Sequence, residues 1–117
     1  MLKVLAPIPA LVAGIALALP AQAAPTAQTI RVTERDYSIS LSAKPRAGKV
    51  TFVIRNAGDD PHNFYVRGGG RTFKSRVVGE GGSLRLTATL KKGVRYRYWC
   101  AVGSHARKGM RGSFVAR

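Results

Sequence analysis

The feature that most constrains the fold of this chain is an alternation of apolar and polar residues in five short segments. The segments are residues 30–32, 37–41, 50–54, 84–90 and 94–100. A period of two places every second side chain on the same face, as in a half-buried β-strand. Clusters of Gly, Pro, Asn and Asp separate the segments, and no segment has helical periodicity. The pattern predicts an all-β sandwich of about seven to eight strands.

Length and charge limit the classes of function. The chain has 117 residues, enough for one domain, and carries 20 Lys+Arg against 5 Asp+Glu for a net charge of +15. Charge of this size bears on partners rather than on fold. Because the basic residues are spread along the chain instead of massed in one arm or helix, no nucleic-acid partner is expected. We expect a monomer that meets acidic proteins.

The first 23 residues have the composition of a secretory signal peptide. Lys3 supplies a positive charge, residues 5–19 are mainly Ala, Leu, Val and Ile, and Ala21-Gln22-Ala23 matches a cleavage site. The apolar run is short and interrupted by Pro7 and Pro9, which disfavours a membrane span. An uncleaved membrane anchor is the alternative.

Cleavage after Ala23 would leave a short linker followed by one domain. A short linker occupies residues 24–28, and one domain occupies residues 29–117. The mature protein is expected to lack a membrane span and to be exported to the periplasm. Secretion is the alternative.

The single cysteine needs a chemical reason in an exported protein, because one thiol cannot form an internal disulfide and is open to oxidation. Cys100 is followed by His105 and Met110, and the remaining histidine, His62, lies between two predicted strands. Two imidazoles, a thiolate and a weak thioether are the donor set of a blue-copper electron-transfer centre. A zinc site normally recruits more Cys or His and seldom uses Met.

Each of these residues has an ordinary interpretation when it is considered alone. His62 is then a surface histidine after a turn, Met110 fills a gap in the core, and Cys100 is a small buried hydrophobe. The metal hypothesis is favoured because the four residues are all of the His and Cys of the chain and its only Met after the initiator.

The run from Tyr96 to Gly112 resembles the C-terminal copper loop of small cupredoxins of the plastocyanin, pseudoazurin and amicyanin kind. The upstream match is residues 50–58 followed by Pro61-His62-Asn63-Phe64, so the resemblance covers about residues 28–116. It implies a Greek-key β-sandwich with one type 1 copper. The implied ligands are His62, Cys100, His105 and Met110. The edge of the second histidine is implied to be exposed and to serve as the electron doorway.

The resemblance also implies supporting hydrogen bonds. Asn63 is expected to join the two ligand loops and to direct its backbone N–H at the sulfur of Cys100. Ala101 stands where many members carry Ser or Thr, so the Asn63 side chain must use backbone groups. Many members have Pro-Gly before the second histidine, but this chain has Gly103-Ser104. A second N–H donor to the sulfur is therefore expected within residues 101–104, with Gly103 favoured.

Four residues are expected to face a partner. Arg107, Lys108 and Arg111 place positive charge beside the site and would steer an acidic redox protein. Their alternative interpretation is solvated charge with no chosen partner. Trp99 either packs on the outer face against Arg97 or forms part of an electron path.

The resulting functional hypothesis is an exported one-electron carrier. The alternative is a periplasmic copper-binding or copper-delivery protein that uses the same site without physiological electron transfer. An enzyme is not expected, because the sequence offers neither a second cluster of copper-binding histidines nor a nucleophile with a base partner.

Overall fold

The computed structural model describes residues 2–19 and 27–117, and the second range forms two four-stranded sheets that enclose one core. The strands are β1 (Gln28–Arg35), β2 (Ser38–Leu41), β3 (Gly48–Asn56), β4 (Tyr65–Gly68), β5 (Arg71–Lys74), β6 (Ser83–Leu90), β7 (Arg95–Trp99) and β8 (Arg111–Val115). The first sheet has the order β2-β1-β3-β6 and the second β5-β4-β7-β8. All neighbours are antiparallel except β1 and β3. The prediction of an all-β sandwich with seven to eight strands is confirmed.

The described residues cover only part of the expected signal peptide. Residues 2–19 have no regular secondary structure. The expected cleavage motif Ala21-Gln22-Ala23 and most of the expected linker lie outside the described residues. Gln28, placed in the linker by the sequence, is the first residue of β1. Within the described ranges, no helix is long and apolar enough to cross a membrane.

The core forms where the inward faces of the two sheets meet. Val50, Phe52 and Ile54 alternate along β3 and are fully buried. The ring of Phe52 meets that of Phe64 edge-on, with centroids 5.1 Å apart, which joins the first sheet to the segment leading into the second. Burial of each such side chain contributes about 1.5–3 kcal/mol. The other buried apolar residues are Ile30, Val32, Val66, Val78, Ala88, Leu90, Tyr96, Phe114 and Ala116.

The strand order brings three connections together at one end of the sandwich. These are the turn between β1 and β2, the loop between β3 and β4, and the loop between β7 and β8. They meet at His62, whose ring contacts Asp36 from the first connection and His105 from the third. Because each connection begins or ends at a paired strand, the sheets fix the directions from which these side chains approach.

One acidic side chain of β1 points into the core. Glu34 is fully buried, and neither carboxylate oxygen has a hydrogen-bond partner. Burial raises the pKa of Glu34 from 4.5 to about 8. The side chain is therefore neutral over most of the physiological pH range, because an ionised carboxylate without partners is costly to bury.

The free energy of unfolding of the metal-free protein is expected to fall as the pH rises from about 5 to about 8. Between its ordinary pKa and its raised one, the folded chain keeps the Glu34 proton that the unfolded chain has released, so unfolding becomes easier as the pH increases. The slope due to this one group is at most about 1.4 kcal/mol per pH unit. Urea unfolding of wild type and Glu34→Gln across this range measures it.

The variant is expected to lose that part of the pH dependence because a glutamine carries no ionisable proton. Glu80→Gln is the matched control, since Glu80 is exposed and should retain the wild-type slope. Equal slopes in wild type and Glu34→Gln would contradict the assignment.

Candidate metal centre

Three metal-binding side chains converge at the end of the sandwich where the connections meet. His62 lies before β4, Cys100 directly after β7, and His105 in the loop that leads to β8. Nδ1 of His62 is 3.1 Å from Nδ1 of His105, and the Cys100 sulfur is 3.8 and 3.7 Å from these two nitrogens. All three residues are buried.

The spacing of these atoms fits a metal ion. A point equidistant from the three atoms lies about 2.1 Å from each, close to the distances of about 2.0–2.1 Å for nitrogen and 2.3 Å for sulfur in zinc sites of proteins. The loops therefore hold three donors at coordination distance around one point. Among the described residues, this is the group of His, Cys, Asp and Glu side chains whose donor atoms converge in this way.

His62 is held both through its backbone and through its ring. Its backbone N–H donates to the carbonyl of Val78, whose N–H donates back to the carbonyl of His62. Its Nε2 lies 2.7 Å from a carboxylate oxygen of Asp36. A proton on Nε2 satisfies this contact and leaves the lone pair of Nδ1 directed at the other two donors. A carboxylate behind a metal-binding histidine fixes the tautomer and raises the basicity of the ring.

Asp36 is itself held by the loop before β4. The backbone N–H groups of Asp59 and Asp60 donate to its carboxylate. Burial raises the pKa of Asp36, but these N–H groups and the contact with His62 outweigh it, and the net pKa lies below the ordinary value. Gly58 allows this close approach, because a Cβ at that position would meet the Asp36 carboxylate.

The second histidine is covered, contrary to the exposed edge that the family resemblance implies. His105 is only 8% exposed. The ring of Tyr37 lies over it with a centroid distance of 4.9 Å, and an Asp60 oxygen lies 3.5 Å from its Nε2. The Tyr37 hydroxyl donates to the same oxygen of Asp60 at 2.6 Å, which raises the pKa of the tyrosine. Tyr37 and Asp60 thus form a roof over the outer edge of His105.

The environment of the sulfur combines burial with backbone donors. Burial raises the pKa of Cys100, while the N–H groups of Asn63 and Val102 lower it. Asn63 is the residue whose backbone N–H the family resemblance directs at the sulfur. Val102 lies within residues 101–104, where a second donor is expected, and directly precedes Gly103, the residue that the sequence favours. Gly103 follows in the left-handed conformation, with φ of 47°, as the loop turns towards His105.

Hydrogen bonds between the loops hold the site together. The side-chain oxygen of Asn63 accepts the N–H of Ala101 at 2.7 Å, a backbone partner where the family more often has a hydroxyl. Met110 is fully buried; its N–H donates to the carbonyl of His105 and its carbonyl accepts the N–H of Cys100. The residue expected to be the fourth ligand therefore belongs to the same bonded loop.

The residues expected to face a partner lie on different surfaces. Trp99 is half-buried and its ring pairs with Tyr65, with centroids 5.7 Å apart, rather than with Arg97. Arg111 is exposed and pairs with Trp99 across β7 and β8. Arg107 is exposed, and Nζ of Lys108 lies 4.5 Å from the centre of the Tyr37 ring, on the roof. The arrangement thus separates Trp99 and Arg111 from Lys108.

Sequence reasoning missed three residues of the site: Asp36, Tyr37 and Asp60. Asp36 lies between two predicted strands, Tyr37 begins the alternating segment 37–41, and Asp60 has the position of a turn residue before Pro61. The available signal was composition, since acidic residues number only five and Asp59 and Asp60 directly precede the Pro-His-Asn motif. That clustering in a strongly basic chain marks the segment as unusual.

Known structures with the same architecture include two auracyanins. The reduced auracyanin of the photosynthetic bacterium Roseiflexus castenholzii is 19% identical, with a TM-score of 0.61 over 81% of this chain and 99% of that chain. Auracyanin B is 16% identical, with a TM-score of 0.66 over 82% of this chain and 92% of that chain.

A larger protein shares the fold over part of its length. A multicopper oxidase is 18% identical, with a TM-score of 0.53 over 78% of this chain and 41% of that chain. No protein-family model and no curated protein matches the sequence. At these identities the likeness establishes the fold, so the resemblance to cupredoxins is confirmed at that level.

Asn63→Ala is expected to destabilise the metal-free protein by about 0.5–1.5 kcal/mol, because the hydrogen bond from the N–H of Ala101 to the Asn63 side chain is lost. The amide of Ala101 should then exchange with solvent faster than in wild type, as measured by hydrogen exchange in NMR. Asn63→Asp keeps an oxygen at this position and should retain most of the protection. Equal exchange of this amide in wild type and Asn63→Ala would show that the bond does not join the two loops.

Proposed function

We propose that this chain, with its cupredoxin fold, is an exported type 1 copper protein that acts as a one-electron carrier between redox partners. The observation that carries the proposal is the buried triangle of two imidazole nitrogens and one sulfur, spaced to surround a single ion. Copper bound there supplies a centre that accepts and releases one electron. Soft sulfur suits Cu(I), and imidazole suits both oxidation states.

Each ligand has a defined role in this proposal. His62 and His105 bind through Nδ1, because these are the atoms that face the sulfur. Cys100 binds as the thiolate, stabilised by the backbone N–H groups of Asn63 and Val102. Met110 would supply a weak thioether ligand from the end of the same bonded loop. One copper per chain follows from the single cysteine.

The closed form of the site favours a carrier over a copper-delivery protein. Delivery requires exchange of the ion with a second protein, which is easiest when ligands are exposed. Here the donors are buried, and Tyr37 and Asp60 cover the outer edge of His105. Electron transfer requires no exchange of ligands, so a rigid and covered site suits it. The auracyanins share this fold over nearly their whole length, whereas the multicopper oxidase is matched over less than half of its own, so an enzyme is not proposed.

Export and an acidic partner complete the proposal. The signal-like N-terminus supports a periplasmic location. The net charge of +15 supports electrostatic attraction to acidic redox proteins. Within the described residues, Arg111 and Trp99 lie on the outer face of the second sheet, and Arg107 is exposed in the loop beside it.

Addition of Cu(II) to the purified protein without residues 1–23 is expected to produce an intense visible band from the bond between copper and the thiolate. Visible absorption and electron paramagnetic resonance measure this. Cys100→Ser should lose the band because the hydroxyl is a poor substitute for the thiolate. Ser104→Ala is the matched control, because it alters the same loop without removing a proposed ligand.

Two outcomes would overturn the proposal. A wild-type spectrum without the intense band would exclude a type 1 site. A band accompanied by rapid loss of Cu(I) to a soluble chelator, on the time scale of mixing, would favour the delivery protein over the carrier.

Asp36→Asn is expected to raise the reduction potential of the copper site. The oxidised site carries one more positive charge than the reduced site, so the negative carboxylate behind His62 stabilises the oxidised form more strongly. The affinity for Cu(II) should fall roughly 10- to 100-fold, as is typical when such a supporting group is lost. Voltammetry and competitive titrations with Cu(II) and Cu(I) measure both effects.

Asp59→Asn is the matched control. Asp59 is exposed and reaches Asp36 through its backbone N–H, so its side chain carries the same charge without that contact. Equal shifts of the reduction potential in the two variants would show that any lost negative charge has this effect. That result would contradict a specific role for Asp36.

A further inference from the structure

A groove of about 520 Å³ lies where the end of β7, the start of β8 and the loop between them meet. Its lining includes Trp99, Ala106 and Arg111. Each of these three residues is next in sequence to one of the proposed copper ligands. A group seated in the groove would therefore lie beside the backbone segments that hold the metal.

The groove combines apolar surface with cationic groups. Trp99, Ala106 and Gly112 provide apolar contacts, and the exposed Arg97 and Arg111 stand on either side. In the register, Trp99 pairs with Arg111, and Arg97 lies two residues before Trp99 on the same outward face.

The surface around the groove is basic throughout the second sheet. None of the residues in β4, β5, β7 and β8 is acidic. Arg67 lies directly opposite Arg97 across β4 and β7, a like-charged pair that is unfavourable without a counter-charge. The outward side chains of Lys74 and Arg95 extend the positive charge along the sheet.

The roof over His105 is a poorer approach for an acidic protein. Tyr37 covers the ring there, and the carboxylates of Asp36 and Asp60 lie against the two imidazoles. These carboxylates repel an acidic surface and offset the positive charge of Lys108 on the roof. The strands of the groove's sheet carry basic residues and no acidic ones, so they attract such a surface. The distribution of charge thus directs an acidic partner to the side of the ligand loop that bears Arg97 and Arg111.

We infer that this groove is the docking site for a redox protein that presents an apolar side chain flanked by carboxylates. The inference rests on the proposed function and names the partner surface for it. Arginine matches carboxylates with two parallel hydrogen bonds, and Trp and Arg are the residue types that dominate binding energy at interfaces. Copper held by these ligands would exchange one electron with the partner's own one-electron centre in the docked pair. One centre would be oxidised as the other is reduced, with no transfer of a proton or a covalent bond.

The docking site can be tested without copper. The probe is a five-residue peptide with one phenylalanine between two pairs of glutamates, titrated into ¹⁵N-labelled metal-free protein at low salt. We expect shifts of the Trp99 indole N–H and the Ala106 amide, and weaker binding as salt is added. Arg97→Glu should weaken binding at least tenfold, and the milder Arg97→Gln should weaken it by less.

Matched variants and peptides separate docking from general charge. Arg46→Glu makes the same charge change in the exposed loop between β2 and β3, and should bind the peptide within about twofold of wild type. A peptide with glycine in place of phenylalanine should bind more weakly, because the apolar contact is lost. Equal weakening by Arg46→Glu and Arg97→Glu, equal binding of the glycine peptide, or shifts confined to residues outside the groove would overturn the inference.

The alternative partner is an anionic membrane surface. Vesicles of phosphatidylglycerol serve as the probe in the same variants. Arg97-dependent binding to vesicles without binding of the peptide would replace the docking proposal with a membrane-binding face. Failure of the proposed function appears instead as the absence of the intense copper band, an outcome that the peptide titration does not measure.

Discussion

The structure depends on the meeting of one sulfur and two imidazole nitrogens from separate connections of a β-sandwich. Cys100 and His105 belong to one loop, and His62 comes from another connection some forty residues earlier. Burial of three such groups without partners would be unfavourable, because polar atoms removed from water need compensation. A metal ion shared by the three donor atoms would supply this compensation, and the spacing of the atoms fits such an ion. The bonds from Asn63 to Ala101 and between Met110 and its neighbours hold the loops in that arrangement.

Charge is divided between two sides of this centre. Two of the five acidic residues, Asp36 and Asp60, place carboxylates against the histidines, and the backbone N–H of Asp59 donates to Asp36. The strands of the second sheet carry basic residues without acidic ones. The carboxylates act on the metal ligands over a few ångströms, while the basic sheet acts on partners over about a Debye length. Under the proposed function, one basic chain would thereby favour the oxidised metal locally and still attract acidic proteins.

The alternation of apolar residues was sufficient to predict the sandwich, because Val50, Phe52 and Ile54 can share one buried face only in a strand. The closeness of Cys100 and His105 was predictable for a similar reason, because their spacing in one loop is a local property. The exposure of His105 was not predictable from that loop. The exposure depends on Tyr37, which lies in the turn after β1 and covers His105. This turn reaches the loop before β4 only because β1 pairs with β3.

The sequence by itself determined the strand pattern, the excess positive charge and the set of groups able to bind a metal, since each follows from residue type and spacing along the chain. The tertiary structure alone decided which carboxylate lies behind His62, what covers His105 and where Trp99 and Arg111 form a groove. Those contacts join residues distant in sequence, such as Asp36 and His62. Their geometry is set by strand pairing and loop packing, and no local pattern of residues encodes the distance between them.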